Sequence, residues 1–398
     1  EAQFIKVTVT LINAKDPDPT PPGRIVKDRW TYVRFENPIP FSVKNIVKLS
    51  KAADPWSSSL AVDFDNKGNL FIWGLIDQAI HYQSFLNYEA DEGPEQPGLF
   101  QTSINGLGSL VVIFDYELIA TLKQNTLISN YLDVFRIGPV HGILKGHSAK
   151  YEKKIKTDFE EEFEDEDADN WIDIIDGLWT QVISRILIRI QNFEHGGAIL
   201  IGSQTKDLNI KHKIEYNRLY NAIYNYSKYL LAYVYHSNIV HNDYLQDQDK
   251  DHLPLQLYLD ESIAEFTRKE SNDELKGAIR FVSSLSCIDG LVLLDTELKV
   301  KGFGVVVEKI NPPETIYISK TSNISTTKLI KTSPDNFGTR HRSMFSYCWN
   351  NAGSLGFVIS QDGDIRAITR VNDKLVMWEN IKVQRLFRSH KLRHKKRK

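Results

Sequence analysis

Short runs that alternate between apolar and polar residues dominate the first part of the chain, a pattern typical of β-strands. The clearest lies at residues 60–73, where two such runs flank Asn-Lys-Gly-Asn, a tetrapeptide that tolerates the positive φ of a hairpin turn. Further strands are predicted at residues 4–12, 98–102 and 109–115, and a short helix at residues 117–127. The sequence therefore predicts an α+β domain over residues 1–150.

The second half of the chain changes to the periodicity of helices. Apolar residues recur every three or four positions from Ile175 to Ile190, and longer helical patterns follow at residues 215–235 and 261–284. Apolar runs predict buried strands at residues 198–201, 291–294, 304–307, 356–359 and 365–369. Strands interleaved with helices predict an α/β domain, a mixed central sheet flanked by helices, over residues 175–380.

Charge is distributed unevenly, although the formal net charge is only −2. Nine of the twelve residues from 158 to 169 are acidic, so residues 151–174 are predicted to form a solvated linker or a frayed helix start. Nine of the eighteen residues from 381 to 398 are Lys or Arg. This basic tail has the charge to contact nucleic acid, lipid headgroups or the acidic run, but a disordered solubilising tail is the simpler interpretation. The rest of the chain has 40 basic and 51 acidic residues, which argues against a body that binds nucleic acid.

Composition narrows the class of protein further. Apolar residues make up 41% and charged residues 25%, as in ordinary globular proteins. Cys287 and Cys348 are too few for a disulfide scaffold, and no apolar run reaches the roughly 18–20 residues that cross a bilayer. A cytoplasmic protein is the simplest interpretation.

Several familiar sites are absent from the sequence. It has no Gly-x-x-x-x-Gly-Lys-Ser/Thr phosphate loop and no Gly-x-Ser-x-Gly elbow. Gly106-Leu-Gly108 precedes a strand rather than a helix, so it is a turn and not a dinucleotide fingerprint. The calcium-loop pattern that begins at Asp247 has His252 at its sixth position and Tyr258 at its twelfth, where Gly and Glu are needed.

One segment does combine groups that bind anions. Gly338-Thr-Arg-His-Arg-Ser343 places five side-chain donors within five residues. The guanidinium groups of Arg340 and Arg342 fit phosphate oxygens as planar forks, and His341 and the two hydroxyls add further donors. Apolar residues from Met344 onwards predict a helix whose N-terminus faces the same anion. The segment predicts a phosphate site, with an exposed basic turn paired to acidic neighbours as the alternative.

Two further elements place acidic groups beside apolar strands. Asp289-Gly290 precedes one strand, and a carboxylate at that position can hold a divalent cation or a ribose hydroxyl. Ser360-Gln-Asp-Gly-Asp364 follows another strand. Taken alone, each element is also explained by a plain turn.

In this order, the three elements resemble the diadenylate cyclase domain, the family that makes cyclic di-AMP. Its hallmarks are Asp-Gly-Ala and Gly-Thr-Arg-His-Arg; the second is intact at residues 338–342, and the first appears as Asp289-Gly290-Leu291. Gly197-Ala-Ile-Leu200 resembles the family's first strand, and residues 298–307 resemble the strand pair between the two motifs. The resemblance covers residues 175–380.

The resemblance implies a reaction and a role for each group. Two ATP molecules are joined into cyclic di-AMP with release of two pyrophosphates; each protomer holds one ATP, so two copies must meet face to face in a homo-oligomer. The implied catalytic residues are Asp289, Arg340, His341 and Arg342, and the implied ligands of Mg²⁺ or Mn²⁺ are Asp289 and Asp362. The implied nucleotide contacts are Gly290, Leu291, Val307, Gly338, Thr339, Arg340, His341, Arg342, Ser343 and Ser360.

The chain also departs from the family. Leu291 replaces a small Ala, and Gln361-Asp362 stands where many members have two Glu residues. Because Asp289 and Leu291 are two residues apart at a strand start, they are expected to share the ligand-facing side, with Leu291 pressing on the nucleotide. The alternative function is a nucleotide-binding sensor that has lost turnover and acts through partners. The Trp73-Gly74 hairpin and the Gly-rich strand near Gly106 make residues 1–150 similar to a sensor-type domain that precedes some of these cyclases, with a ligand that the sequence does not identify.

Overall fold

A computed structural model divides the chain into two compact units, Glu1–Tyr131 and Leu132–Lys398. The structure describes residues 5–17, 30–54, 57–78, 99–106, 108–114, 117–123, 126–163, 174–175, 177–240, 254–308, 312–324, 329–361 and 363–383. The boundary precedes the one predicted at residue 150, because Pro139–Phe163 forms one long helix of the second unit. The first part of the predicted acidic linker therefore lies in this helix, while residues 164–173 and the tail from residue 384 lie outside the described residues.

The first unit contains eight strands and one short helix among its described residues. They are β1 (Val7–Leu11), β2 (Thr31–Pro40), α1 (Val43–Leu49), β3 (Ser58–Phe64), β4 (Leu70–Asp77), β5 (Phe100–Gly106), β6 (Ser109–Phe114), β7 (Glu117–Lys123) and β8 (Thr126–Ile128). They form a mixed sheet in the order β2-β4-β3-β1-β5-β6-β7-β8. The helix predicted at residues 117–127 is wrong: these residues form β7 and β8, since β7 pairs with β6 and sets Leu122 opposite Leu110.

The predicted hairpin is confirmed as β3 and β4. Gly68 adopts a φ of +81° in its turn, and the Asp65 carboxylate accepts the backbone N–H groups of Lys67 and Asn69, each at 2.8 Å. On β4, the buried indole N–H of Trp73 donates to the carbonyl of Ile12 at 3.2 Å. This bond joins the hairpin to the residue that follows β1.

The second unit is the predicted α/β layer structure. Its elements are α2 (Pro139–Phe163), α3 (Leu178–Asn192), β9 (Gly197–Ile201), β10 (Leu208–Tyr216), α4 (Arg218–Asn238), α5 (Leu255–Leu285), β11 (Leu291–Leu294), β12 (Val300–Val307), β13 (Ile316–Ser319), β14 (Leu329–Thr332), α6 (Thr339–Asn350), β15 (Leu355–Ile359), β16 (Ile365–Val371) and β17 (Lys374–Trp378). The mixed sheet has the order β10-β12-β11-β9-β15-β16-β17-β13-β14. Residues 298–307 give one strand, β12, rather than the expected pair, because an Asp295 turn occupies residues 295–299.

Three strand ends of this sheet meet at one edge. β9 and β11 run parallel, and β15 runs antiparallel to β9 with Ile359 opposite Gly197. The starts of β9 and β11 and the end of β15 therefore lie side by side. We call this place the strand-end edge.

Packing beneath the strand-end edge fixes α6 against the sheet. Met344 and Phe345 of α6 are fully buried, in one apolar cluster with Leu291, Val305 and Val358. Burial of such side chains stabilises a fold by about 1.5–3 kcal/mol each. The helix is thus anchored by its middle, and its first turn lies at the strand-end edge.

Neither thiol forms a disulfide. Cys287 is exposed and Cys348 is buried, and both are free. Within the described ranges, no helix combines the length and apolar character that a membrane span requires.

Candidate functional site

Two predicted site residues that are far apart in sequence meet at the strand-end edge. Asp289 precedes β11, and Arg340 lies in the first turn of α6. Arg340 Nη2 is 3.3 Å from Asp289 Oδ1. The Asp289 side chain is 98% exposed and that of Arg340 is 34% exposed. Exposed ion pairs contribute about 0–1 kcal/mol, so a phosphate or a cation can displace either partner at little cost.

Backbone packing places the Arg340 guanidinium over the start of β9. A Cβ built on Gly196 would lie 3.3 Å from Arg340 Nη1 and 2.9 Å from the carbonyl oxygen of Ile359. Gly196 also has a φ of +73°, a conformation that side chains disfavour. Glycine at this position therefore leaves room for the guanidinium between β9 and β15.

The first turn of α6 adds backbone donors to the edge. Gly338 caps the helix in an extended conformation, with no side-chain hydrogen bond at the cap and no acidic residue in the first turn. A helix N-terminus has unsatisfied N–H groups and a partial positive charge, which favour an anion. Gly338, Thr339 and Arg342 are exposed, and Ser343 is half-buried. The predicted phosphate-binding segment thus presents its donors at the edge.

His341 is held differently from its neighbours in the segment. Its Nε2 lies 3.1 Å from Nη1 of Arg366, on β16. The rings of Phe337 and Phe345 lie beside it, with centroids 5.6 Å and 6.2 Å away. Burial first, and then the positive charge of Arg366, lower the pKa of His341 to about 4. His341 is therefore a neutral imidazole at physiological pH and a hydrogen-bond donor rather than a cation.

Arg366 is a site neighbour that the sequence did not predict. Its Nε donates to Glu379 Oε1 at 3.3 Å, and the other Glu379 oxygen lies 3.8 Å from Lys320 Nζ. The one sequence signal was an arginine within the apolar run that forms β16. Such a residue needs a partner, which the carboxylate of Glu379 supplies.

Leu291 does not face the ligand side, contrary to expectation. Its side chain is 2% exposed and belongs to the core cluster with Met344 and Phe345. The alternation fails because Asp289 precedes the strand and Gly290 between them has a φ of +121°. A Cβ on Gly290 would lie 2.6 Å from the carbonyl carbon of Gly304, so glycine is required for this close backbone approach. Leu291 is corrected to a core residue.

Two other implied contacts have structural roles. Val307 is half-buried and packs against the margin of the core cluster. The Ser360 hydroxyl accepts the backbone N–H of Asp364 at 3.0 Å, and Ser360 N donates to the Asp364 carbonyl at 2.9 Å. Ser360 therefore closes the turn between β15 and β16. Asp362 lies outside the described residues.

The fit of a divalent cation depends on Asp289. Among the described residues, no group of three or more His, Cys, Asp or Glu side chains could hold a metal ion. Mg²⁺ commonly binds through one or two carboxylates and completes its shell with water and substrate phosphates. The exposed Asp289 fits the single carboxylate of such a site.

Comparison with known proteins identifies part of the first unit. Residues 1–77 match the family model of a probable sensor domain, DACNV. The match ends at Asp77, the last residue of β4, and does not extend into the second unit. No curated protein matches the chain. The first unit is therefore similar to a sensor domain over β1 to β4.

Proposed function

We propose that the second unit binds ATP at the strand-end edge and condenses two ATP molecules into cyclic di-AMP and two pyrophosphates. The 3.3 Å contact between Asp289 and Arg340 supports this proposal most directly. It joins an exposed carboxylate to a guanidinium at a helix N-terminus, the two kinds of group that a metal-bound nucleoside triphosphate requires. Both groups come from the motifs that resemble the cyclase domain.

Each residue has a distinct role in the proposed reaction. Arg340, Arg342 and the N–H groups of the first turn of α6 would hold the triphosphate and offset the charge that develops on pyrophosphate. His341 would donate a hydrogen bond without adding charge. Asp289 would hold Mg²⁺ or Mn²⁺, which supplies Lewis-acid stabilisation of the phosphoryl oxygens when bound.

Cyclisation needs a second copy of the chain. Each 3′-hydroxyl attacks the α-phosphate of the other nucleotide, so two sites that face each other across a two-fold axis complete one reaction. In one chain the Asp289 side chain is 98% exposed, so a second site could approach it. We propose that the active form is a face-to-face homo-oligomer.

The first unit would regulate this reaction. Its match to a probable sensor domain supports a role in ligand detection rather than in chemistry. We propose that ligand binding to the first unit changes the turnover of the second.

A second candidate function is a nucleotide-binding sensor without turnover. The turn between β15 and β16 favours it, because the Ser360 hydroxyl is already bonded to Asp364. The departure at Gln361-Asp362 directly follows Ser360 in the sequence. Both candidates predict ATP binding, and only the first predicts a product.

Product analysis separates the candidates. The full chain is incubated with ATP and Mn²⁺ over a range of protein concentrations, and nucleotides are separated by chromatography while pyrophosphate is measured. A cyclase gives one cyclic di-AMP for two pyrophosphates, with a rate per chain that rises with protein concentration. ATP binding without product would establish the second candidate, and absence of both would contradict the two together.

A further inference from the structure

A chain of polar contacts lies behind the strand-end edge. It runs from His341 Nε2 to Arg366 Nη1 at 3.1 Å and from Arg366 Nε to Glu379 Oε1 at 3.3 Å. Arg366 is on β16 and Glu379 directly follows β17, so two neighbouring strands support one side chain of α6. The side chains of Arg366 and Glu379 are half-buried, with exposures of 20% and 25%.

The chemistry of the two groups fixes the proton on the histidine ring. A guanidinium has N–H donors and no acceptor, so the His341 Nε2 that faces it must accept. A neutral imidazole that accepts at Nε2 has its proton on Nδ1. An imidazolium would instead point an N–H at the guanidinium. Among the described residues, His341 Nδ1 has no hydrogen-bond partner, so its N–H is available to a ligand.

Glu379 keeps Arg366 in place without contacting the ring. Its carboxylate accepts from Arg366 Nε, and it also pairs with Lys320 at 3.8 Å. It therefore balances the charge of the guanidinium while leaving Nη1 directed at His341. No described carboxylate bonds to the imidazole itself. Burial and then the charge of Arg366 favour the neutral ring, and the contact with Arg366 sets which nitrogen carries the proton.

We propose that Arg366 is a positioning residue of the nucleotide site: its guanidinium donates to His341 Nε2 and so holds the ring with its N–H at Nδ1. This inference rests on the proposed function in taking a phosphate as the ligand. The segment would then meet a phosphate with the guanidiniums of Arg340 and Arg342 and with one neutral donor. A neutral donor binds phosphate oxygens in a way that does not change as the pH crosses the usual range of histidine.

The surroundings of the ring define the expected pH response. Arg366 faces it from β16, Phe337 precedes α6, and Arg340 and Arg342 are its neighbours on α6. Both burial and the Arg366 charge lower the His341 pKa, so removing that charge should raise it towards the ordinary value of about 6.5. Below its raised pKa the ring would become a third cation of the segment, and ATP affinity would acquire a pH dependence from His341.

Two variants of Arg366 separate its charge from its volume. Arg366→Met removes the charge and the donors, whereas Arg366→Lys keeps a cation and an N–H donor. Arg370→Met is the matched control, since Arg370 lies on the same strand but donates to the carbonyls of Asn372 and Trp349. The full chain is labelled with ¹⁵N-histidine, and the His341 signal is assigned by its loss in His341→Gln.

The ring state is measured first, by long-range ¹H–¹⁵N spectra across pH. The native chain should show a neutral His341 with its proton on Nδ1 and a titration midpoint below about pH 5. The midpoint should rise by about one unit or more in Arg366→Met and stay low in Arg366→Lys and Arg370→Met. A native ring that titrates near 6.5, or that holds its proton on Nε2, would overturn the inference even if no variant folds.

ATP affinity is measured next, as the ratio of variant to native dissociation constants at about pH 5 and about pH 8, which cancels the titration of ATP itself. The Arg366→Met variant should bind ATP about three- to tenfold more weakly than the native chain at the higher pH. At the lower pH its ATP affinity should return towards the native value. Arg366→Lys and Arg370→Met should show a constant ratio. A constant ratio in Arg366→Met would overturn the positioning role. If native chains bind no ATP at either pH, the proposed function fails, whereas the ring spectra still decide the protonation state.

Discussion

The exposed strand-end edge and the half-buried contacts behind it use similar residues for opposite purposes. Asp289 and Arg340 are 3.3 Å apart, with the carboxylate almost fully in water. Arg366 and Glu379 are also 3.3 Å apart, but both are mostly shielded, and Arg366 additionally bonds to His341. Water competes with the exposed pair, so a ligand can replace it, whereas a buried group left without its partner is costly. The ion pair at the strand-end edge can therefore be exchanged for a ligand, whereas the contacts behind it hold their side chains in place.

Leu291→Ala tests the apolar core beneath the strand-end edge and should give the largest effect. The side chain is 2% exposed in the core cluster, so its truncation should lower the free energy of unfolding by about 2–5 kcal/mol. Urea unfolding of the full chain measures the change. Leu255→Ala, at a leucine that is 72% exposed, is the control and should cost less than about 0.5 kcal/mol. Unchanged stability together with faster product formation would place Leu291 against the nucleotide after all.

Asp289→Asn probes the edge and should leave stability unchanged. Loss of the charged metal ligand should reduce product formation by about 10²-fold or more, with ATP binding largely retained. Asp373→Asn is closely matched, because Asp373 is 82% exposed and lies 3.3 Å from Lys374. That control should keep full turnover. A similar loss in both variants would mean that the effect is not specific to the edge.

Arg340→Ala tests the phosphate contact. Loss of a charge-assisted hydrogen bond costs about 1.5–3 kcal/mol, so ATP should bind about ten- to a hundredfold more weakly. Titration calorimetry gives the affinity. Arg218→Ala provides the comparison, since Arg218 forms an exposed pair with Glu274 on another face of the unit and should leave affinity unchanged. Native affinity in Arg340→Ala would exclude it as a phosphate ligand.

Arg342→Ala should have the smallest effect of the set. Arg342 is exposed and is not held by a described carboxylate, so its flexible side chain loses more entropy on binding than that of Arg340. We expect a loss of affinity below that of Arg340→Ala, measured in the same titrations. A larger loss would make Arg342 the principal phosphate ligand and reduce the importance of the Asp289 contact.

Elements whose signal lies in their own residues could be predicted from the sequence. The hairpin at residues 60–73 and the helix predicted from Ile175 to Ile190 are examples. The helix is observed as α3, which begins at Leu178, after Gly177 with its φ of +81°. Residues 117–127 were not predictable in this way, because their apolar pattern suits a helix as well as a strand. Pairing with β6 decides between the two, and no local pattern shows it.

In the candidate site, too, some features could be predicted from the sequence and others depend on the tertiary structure. Asp289 and Arg340 could be named as candidates because the order of their motifs resembles a known family. The burial of Leu291 could not be predicted. Strand alternation was assumed across Gly290, and the positive φ of that glycine breaks the alternation. The contact of Arg366 with His341 depends on how α6 packs on β16, which is a property of the tertiary structure.

The central claim is that the exposed pair at the strand-end edge is where two ATP molecules become cyclic di-AMP. It is tested most directly by measuring cyclic di-AMP and ATP binding side by side in the native chain, Asp289→Asn and Asp373→Asn, with Mn²⁺ present. We predict that all three bind ATP and that only Asp289→Asn loses the product, by about 10²-fold or more. Equal product formation by the three proteins, or none by the native chain, would contradict the claim.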